Sequence, residues 1–253
     1  MKKSIFLFVL AMISHSIFAQ FISYPAEIVG GSYNYKMVFE QEIYYPQAAK
    51  EAKAEGEIII FFTVGEDGFG KDFKVVQSVH PELDQAYIEM MKYLTWVPGN
   101  KDGAVCASQE KKYQKFKIKK YDKLVKKRGY DQPPFPYTPY SSEMTLRPNS
   151  KLEQKTKPFY KNKEVNVYKF ISEYIKIPDA AVKQGIKGEV EIAFIVEPSG
   201  RLSNFREIKG LGGGCTEEAY RLIQMLKWEP AKANGEYVRS EYQITVNFGN
   251  SKY

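Results

Sequence analysis

The second half of this 253-residue chain repeats the first at a constant offset of 132 residues, without a gap. The matching pairs include Pro46 with Pro178, Trp96 with Trp228, Gly103 with Gly235, Phe116 with Phe248, and Gly56-Glu57 with Gly188-Glu189. A fixed period of this kind means that one structural unit is used twice. Each copy spans about 90 residues, which is enough for a small domain with its own core.

The pattern within each copy predicts the order helix, strand, strand, helix, strand. Pro46 and Pro178 suit the first turn of a short Ala-rich helix. Apolar residues alternate along 188–196, and a later helical face is formed by Ala219, Leu222, Ile223 and Leu226. These elements bury their apolar sides as a three-stranded antiparallel sheet with both helices on one face, so the predicted fold class is α+β.

The motifs of both copies resemble the C-terminal domain of TonB. In copy two they are Ile177 to Ala181, Gly185 to Val190, Gly212 to Ala219 and Trp228 to Ala231. In copy one they are Gly30-Gly31, Tyr45-Pro46, His80 to Asp84 and Trp96 to Gly99. The resemblance implies two tandem modules of this family and covers nearly all of the chain after its first residues, except for a central stretch.

We therefore divide the chain into a signal peptide (1–19), module 1 (20–120, the more divergent copy), a basic Pro- and Tyr-rich linker (121–163) and module 2 (164–253). Lys2 and Lys3 precede an apolar run that ends in a signal-peptidase pattern at Ala19, so we expect an exported protein in the periplasm. An inner-membrane anchor is the alternative if the signal is uncleaved. The linker shows no periodicity, and we expect it to be semi-extended, with few contacts between modules that fold separately.

The resemblance also implies a function in transmembrane transport. The family binds a short extended segment of an outer-membrane TonB-dependent transporter, the TonB box, by adding it as a strand to an exposed sheet edge. We expect the partner to be such a receptor or another envelope protein. The alternative is a structural or adaptor protein of the cell envelope that holds peptidoglycan or an acidic surface through Lys111–Arg128. Formation of a homo-oligomer stays open.

The last strand of module 2 is the predicted binding edge. Polar residues of mixed charge alternate there with apolar ones, whereas lysines crowd the equivalent strand of module 1 and oppose strand pairing. The stretch before Pro178 matches a partner-contacting region of TonB. The predicted partner-binding residues are Tyr174, Lys176, Arg239, Glu241, Tyr242, Gln243, Ile244, Thr245, Val246 and Asn247.

Charge and reactive residues favour a binding protein over an enzyme. The net charge is +7, and the stretch Lys111–Arg128 alone contains ten basic residues and one acid. Such a patch is typical of nucleic-acid binding, but export argues against that partner. We expect no catalytic residues, no metal and no cofactor, because only His15 and His80 are present and no ligand spacing is recognisable.

Two further expectations concern single residues. Cys106 and Cys215 occupy non-equivalent places in the two copies, so neither module has an internal disulfide, and we expect both to pack as small apolar residues. Ile59 and Phe61 point outward from the sheet of module 1. Because two adjacent apolar residues on an open sheet face invite a partner, we expect the linker, module 2 or a second chain to cover them.

Overall fold

The structure is a computed structural model that describes residues 23–249. The predicted signal peptide lies outside the described residues. Both copies form a three-stranded antiparallel sheet that packs on helices, which confirms the α+β fold class and the tandem arrangement. Each module buries its own hydrophobic core, and the two cores are separate clusters.

Module 1 is built on three strands, and the first of them in chain order lies between the second and the third. The strands are β1 (Gly56–Val64), β2 (Gly70–Gln77) and β3 (Ser108–Phe116). Its helices are α1 (Gly31–Glu42), α2 (Gln47–Glu51), α3 (Pro81–Lys92) and α4 (Ile118–Arg128). The inward residues Ile58, Ile60 and Phe62 of β1 pack with Leu83 and Tyr87 of α3, as the alternation predicted.

Module 2 repeats this three-stranded antiparallel sheet and adds a two-residue parallel strand at one edge, in the spatial order 202–209, 188–196, 240–248 and 147–148. The strands are β4 (Arg147–Pro148), β5 (Gly188–Val196), β6 (Leu202–Lys209) and β7 (Ser240–Phe248). The helices are α5 (Val167–Tyr174), α6 (Asp179–Gln184) and α7 (Cys215–Gln224). β5 and β7 pair over nine positions without a register shift, from Gly188 opposite Phe248 to Val196 opposite Ser240.

Short strands and one 3₁₀ turn complete the described chain. The 3₁₀ turn is Asn149–Lys151. The short strands are Ser23–Tyr24, Glu27–Ile28, Trp96–Val97, Gly99–Lys101, Ala104–Cys106, Lys157–Tyr160, Lys163–Glu164, Lys227–Glu229, Lys232–Ala233 and Glu236–Tyr237.

Each copy begins with a helix that the sequence pattern did not predict. α1 and α5 both precede the short Ala-rich helix. The inner side of α1 buries Asn34 and Glu42 together with Val38. Because polar residues stand where a helical period needs apolar ones, the buried face of α1 is not recognisable from hydrophobicity alone.

The expectation that 121–163 lacks regular structure is wrong for its first part. α4 extends to Arg128, and its Tyr121, Leu124 and Val125 pack against the core of module 1. These three residues have the i, i+3, i+4 spacing of a helix face, and the lysines around them hide this stripe. Later in the segment, 157–160 pairs with 227–229 of module 2. The four-part boundaries themselves stay a prediction.

The expectation of few contacts between the modules is also wrong. α1 of module 1 lies against β6 of module 2, and Met37 packs on the core of module 2. Arg201 donates from Nε and Nη2 to the carboxylate of Glu42, with both distances at 2.7 Å. The composition of the linker could not predict this contact, because α1 rather than the linker makes it.

Candidate partner-binding edge of module 2

β7 lies at one side of the module 2 sheet. On its inner side it pairs with β5 along its whole length. On its outer side it pairs only with the two-residue strand β4, which runs parallel to it at Ser240 and Glu241. Among the described strands, none pairs with β7 beyond Glu241 on that side. The greater part of β7 is therefore an open edge.

The pairing with β4 identifies the residues whose backbone faces this edge. The amide of Arg147 donates to the carbonyl of Arg239 at 3.4 Å. In a regular strand the N–H and C=O of one residue point to the same side, and successive residues alternate. Arg239, Gln243 and Thr245 therefore direct their backbone groups outward, and Ile244 and Val246 direct theirs toward β5.

The side chains of β7 divide in the predicted way between core and surface. Ile244, Val246 and Phe248 are buried in the core of module 2. Tyr242 is partly buried, with its ring centroid 5.6 Å from that of Phe194 and 5.0 Å from that of Trp228. Ile244 and Val246 therefore anchor β7 in the module through both their side chains and their backbone, and the backbone groups open to a partner are those of Gln243 and Thr245.

The outward side chains of β7 lie on the solvent face of the sheet, where they pair with neighbours. Arg206 donates to Glu241 at 3.1 Å, and the Gln243 amide donates to Glu191. Thr245 and Asn247 are half-buried. The charges on this face are therefore balanced, so a partner that approaches along the edge meets no strong field of one sign.

Arg239 does not lie on this accessible edge, although it is a predicted site residue. Its side chain is only 1% exposed and donates from Nε and Nη2 to the carboxylate of Glu197, at 2.8 and 2.9 Å. Nη2 also donates to the carbonyl of Tyr93 in module 1, at 2.9 Å. A partner cannot reach this guanidinium. The residues of module 1 that are equivalent to Glu197 and Arg239 are Gly65 and Ala107, so module 1 lacks this ion pair. The sequence alone shows this difference between the copies.

Tyr174 and Lys176 lie in the segment between α5 and α6. The Tyr174 ring stacks on Phe170 at 4.7 Å, and its carbonyl accepts a hydrogen bond from Arg221 at 2.9 Å. The backbone amide of Lys176 donates to Glu218 at 2.7 Å. The Tyr174 ring also lies 5.0 Å from the ring of Tyr160, so these contacts are with α5, α7 and the strand Lys157–Tyr160 rather than with β7.

Module 1 occupies the opposite edge of the same sheet. The side-chain amide of Asn34 donates to the carbonyl of Phe205 at 2.6 Å, and its oxygen accepts from the Phe205 amide at 3.1 Å. The side chain of Asn204 in module 2 makes the reciprocal contact with the backbone of module 1. It accepts from the amide of Thr95 at 2.8 Å and donates to the carbonyl of Tyr93 at 2.8 Å. These bonds fill the middle of the β6 edge, which sequence analysis had not assigned.

The equivalent edge of module 1 is chemically different. β3 is also the outer strand of its sheet, and its outward residues include Lys111 and Lys115. Lysines on an edge strand oppose the addition of a further strand. The stretch Lys111–Arg128 is also not one patch, because Arg128 turns inward and donates to the carbonyls of Glu40 and Ile43, both at 2.8 Å.

The reactive side chains lie away from the edge. Within residues 23–249, no group of three or more His, Cys, Asp or Glu is placed to hold a metal ion. Cys106 and Cys215 are both free, and Cys215 is fully buried in the core of module 2. The described part of the chain contains no helix with the length and apolar character needed to cross a membrane.

Comparison with known proteins supports the two-module organisation. Residues 41–118 and 173–249 match the model of the Gram-negative bacterial TonB protein C-terminal family, and together they make up more than half of the chain. The chain is also similar to the solution NMR structure of the Pseudomonas aeruginosa TonB C-terminal domain, at 29% identity and a TM-score of 0.26, over 30% of this chain and 78% of that one. No curated protein matches the chain.

Proposed function

Because this chain belongs to the Gram-negative bacterial TonB C-terminal family, we propose that it binds an outer-membrane TonB-dependent transporter in the periplasm. In this proposal module 2 takes an extended segment of the transporter as an added strand along β7. Main-chain hydrogen bonds supply affinity in this mode of recognition, and neighbouring side chains supply selectivity. The chain acts as a protein-interaction module rather than as an enzyme.

The observation that supports this proposal most directly is the asymmetry of the module 2 sheet. Its β6 edge is occupied at Phe205 by the Asn34 amide of module 1. Its β7 edge keeps the outward backbone groups of Gln243 and Thr245 next to no other described strand. Unpaired strand edges are templates for another chain. The open edge of β7 therefore favours a partner strand there.

The two-residue strand β4 limits where the partner segment binds. It already pairs with Ser240 and Glu241, at the start of β7. A partner strand can therefore pair with β7 only from Gln243 onward, unless β4 detaches from β7. A strand of five or six residues spans about 17–20 Å, so a short extended segment is sufficient to fill this stretch.

Site-specific photo-cross-linking in intact cells tests the proposal. A photoreactive residue at Gln243 is expected to give an adduct with an outer-membrane transporter, because this position faces the open edge. The same residue at Lys111, the equivalent position of module 1, is the matched control and is expected to give none. Transporter adducts from Lys111, with none from Gln243, would place the binding edge in module 1 and contradict the proposal.

The second candidate function is a structural or adaptor role in the envelope. The exposed lysines of α4, such as Lys119, Lys120 and Lys123, favour it. Replacing these three lysines with glutamine separates the two candidates. The adaptor role is supported if this variant is retained less on purified cell wall than the wild type and if Gln243 gives no transporter adduct.

A further inference from the structure

The outer sheet face of module 1, on the side away from its helices, is open. Phe61 is 41% exposed and Tyr113 is 68% exposed, and the Ile59–Tyr113 register places them on the same face. Ile59 is half-buried, but the described parts of the linker and of module 2 do not form the predicted cover over Phe61. In module 2 the position equivalent to Phe61 is Ala193, which is 1% exposed.

Lysines surround this aromatic pair. Lys74 of β2 and Lys111 of β3 lie directly opposite Phe61 on its two sides, and the ammonium of Lys111 lies 5.7 Å from the centre of the Phe61 ring. Lys71 lies opposite Thr63, and Lys115 lies opposite Glu57. The four lysines are Lys71, Lys74, Lys111 and Lys115, and all are exposed.

Acids are fewer than lysines here: among the described residues Glu57 lies opposite Lys115, and Asp67 lies in the turn next to Lys71. The ion pairs of the described chain include none of the four. Module 2 has the opposite arrangement on its equivalent face, where Lys209 pairs with Glu189 at 3.5 Å and Arg206 pairs with Glu241 at 3.1 Å. The two copies share a fold, but this face of module 1 carries more lysines than acids, whereas the basic residues on the face of module 2 are paired with acids.

We propose that this face of module 1 docks on an anionic phospholipid surface, with Phe61 and Tyr113 at the headgroup level and the four lysines around them. Lysines are separate point charges without the planar fork of arginine, so they suit a diffuse layer of negative charge better than one fixed phosphate. Aromatic side chains with lysines nearby are typical of the membrane interface. A sheet face offers no free backbone groups, so an added peptide strand does not fit it.

Co-sedimentation of the full chain with phosphatidylcholine vesicles, with and without about one-third phosphatidylglycerol, tests this docking. Binding is expected only with the anionic vesicles and is expected to weaken as salt is raised. One lysine near an anionic surface changes the binding constant about fivefold, so the double variant Lys74→Gln/Lys111→Gln is expected to bind about 25-fold more weakly. Phe61→Ala, which installs the residue of module 2, is expected to weaken binding as well.

The matched control is Arg206→Gln, which removes the equivalent of Lys74 from module 2. It is expected to leave vesicle binding unchanged. All variants share residues 1–22, so any contribution of that segment cancels in the comparison. Equal binding to neutral and anionic vesicles would overturn the proposal. So would unchanged binding of the double lysine variant, provided that its circular dichroism is native. Retention on anionic cell-wall polymer without vesicle binding would also overturn it, in favour of a polysaccharide partner.

Discussion

The side-chain amide of Asn34 in module 1 pairs with both backbone groups of Phe205 in module 2, as a neighbouring strand would do. Asn34 is completely buried, so water does not compete for these bonds. This contact closes one edge of the module 2 sheet and joins the two modules. Because module 1 occupies the β6 edge, the β7 edge is the side of the module 2 sheet that stays available to another strand.

Asn34→Ala is expected to loosen the contact between the modules. It leaves the buried N–H and C=O of Phe205 without partners, which costs about 1–3 kcal/mol. We expect the urea unfolding of the full chain to separate into two transitions. The matched control is Asn166→Ala, because Asn166 is the repeat equivalent and caps α5 within module 2. The control is expected to lose about 1 kcal/mol and to keep the wild-type number of transitions. Identical unfolding of Asn34→Ala and wild type would argue against the joining role.

The sequence predicted the repeated sheet but not this joint. Alternating apolar residues in β5 and β7 face the core as expected, because one face of the sheet must be buried. Asn34 and Asn166 are equivalent in the repeat, yet one reaches the other module and the other caps its own helix. Local pattern cannot distinguish these outcomes, because they depend on what lies opposite in space. For the same reason Arg239 was predicted at the surface and lies buried against Glu197.

Breaking the buried Glu197–Arg239 pair is expected to destabilise module 2 strongly. Arg239→Met leaves the fully buried carboxylate of Glu197 without its cation, at a cost of about 3–5 kcal/mol. The exposed pair of Arg206 and Glu241 is the control, and Arg206→Met is expected to cost less than about 1 kcal/mol. Chemical denaturation measures both. If Glu197→Gln/Arg239→Met recovers no stability relative to Arg239→Met, the loss does not come from the unpaired charge.

Glu218 is expected to make the stability of module 2 depend on pH. Burial alone would raise its pKa, but hydrogen bonds from Arg221 and the Lys176 amide lower the pKa below its ordinary value of 4.5. Because the folded pKa lies below the unfolded one, the stabilisation is present above pH 4.5 and is lost as the pH falls through the folded pKa. Glu218→Gln is expected to flatten the free energy of unfolding over this acidic range, and the exposed Glu217→Gln is expected to keep the wild-type profile. An unchanged profile in Glu218→Gln would assign the acid sensitivity to other groups.

Removing β4 from the edge is expected to strengthen partner binding. Arg147→Pro deletes the amide that donates to Arg239, whereas Arg147→Ala keeps that amide and loses only the ion pair with Glu143. One backbone hydrogen bond is worth about 0.5–1.5 kcal/mol, so Arg147→Pro is expected to tighten binding of a TonB-box peptide by up to about tenfold. Arg147→Ala is expected to bind as wild type in the same titration. Weaker binding by Arg147→Pro would mean that β4 supports the partner rather than competes with it.

The claim that β7 is the binding edge is tested most directly by proline at Thr245, with titration of a fluorescent TonB-box peptide as the measurement. The amide of Thr245 points away from β5, so proline removes a donor to the partner without breaking the sheet, as edge strands tolerate. The control is Tyr113→Pro, the equivalent change in module 1. We predict that Thr245→Pro weakens peptide binding at least about tenfold while circular dichroism stays native, and that Tyr113→Pro leaves binding unchanged. Intact binding by Thr245→Pro, with loss in Tyr113→Pro, would contradict the assignment and place the grip in module 1.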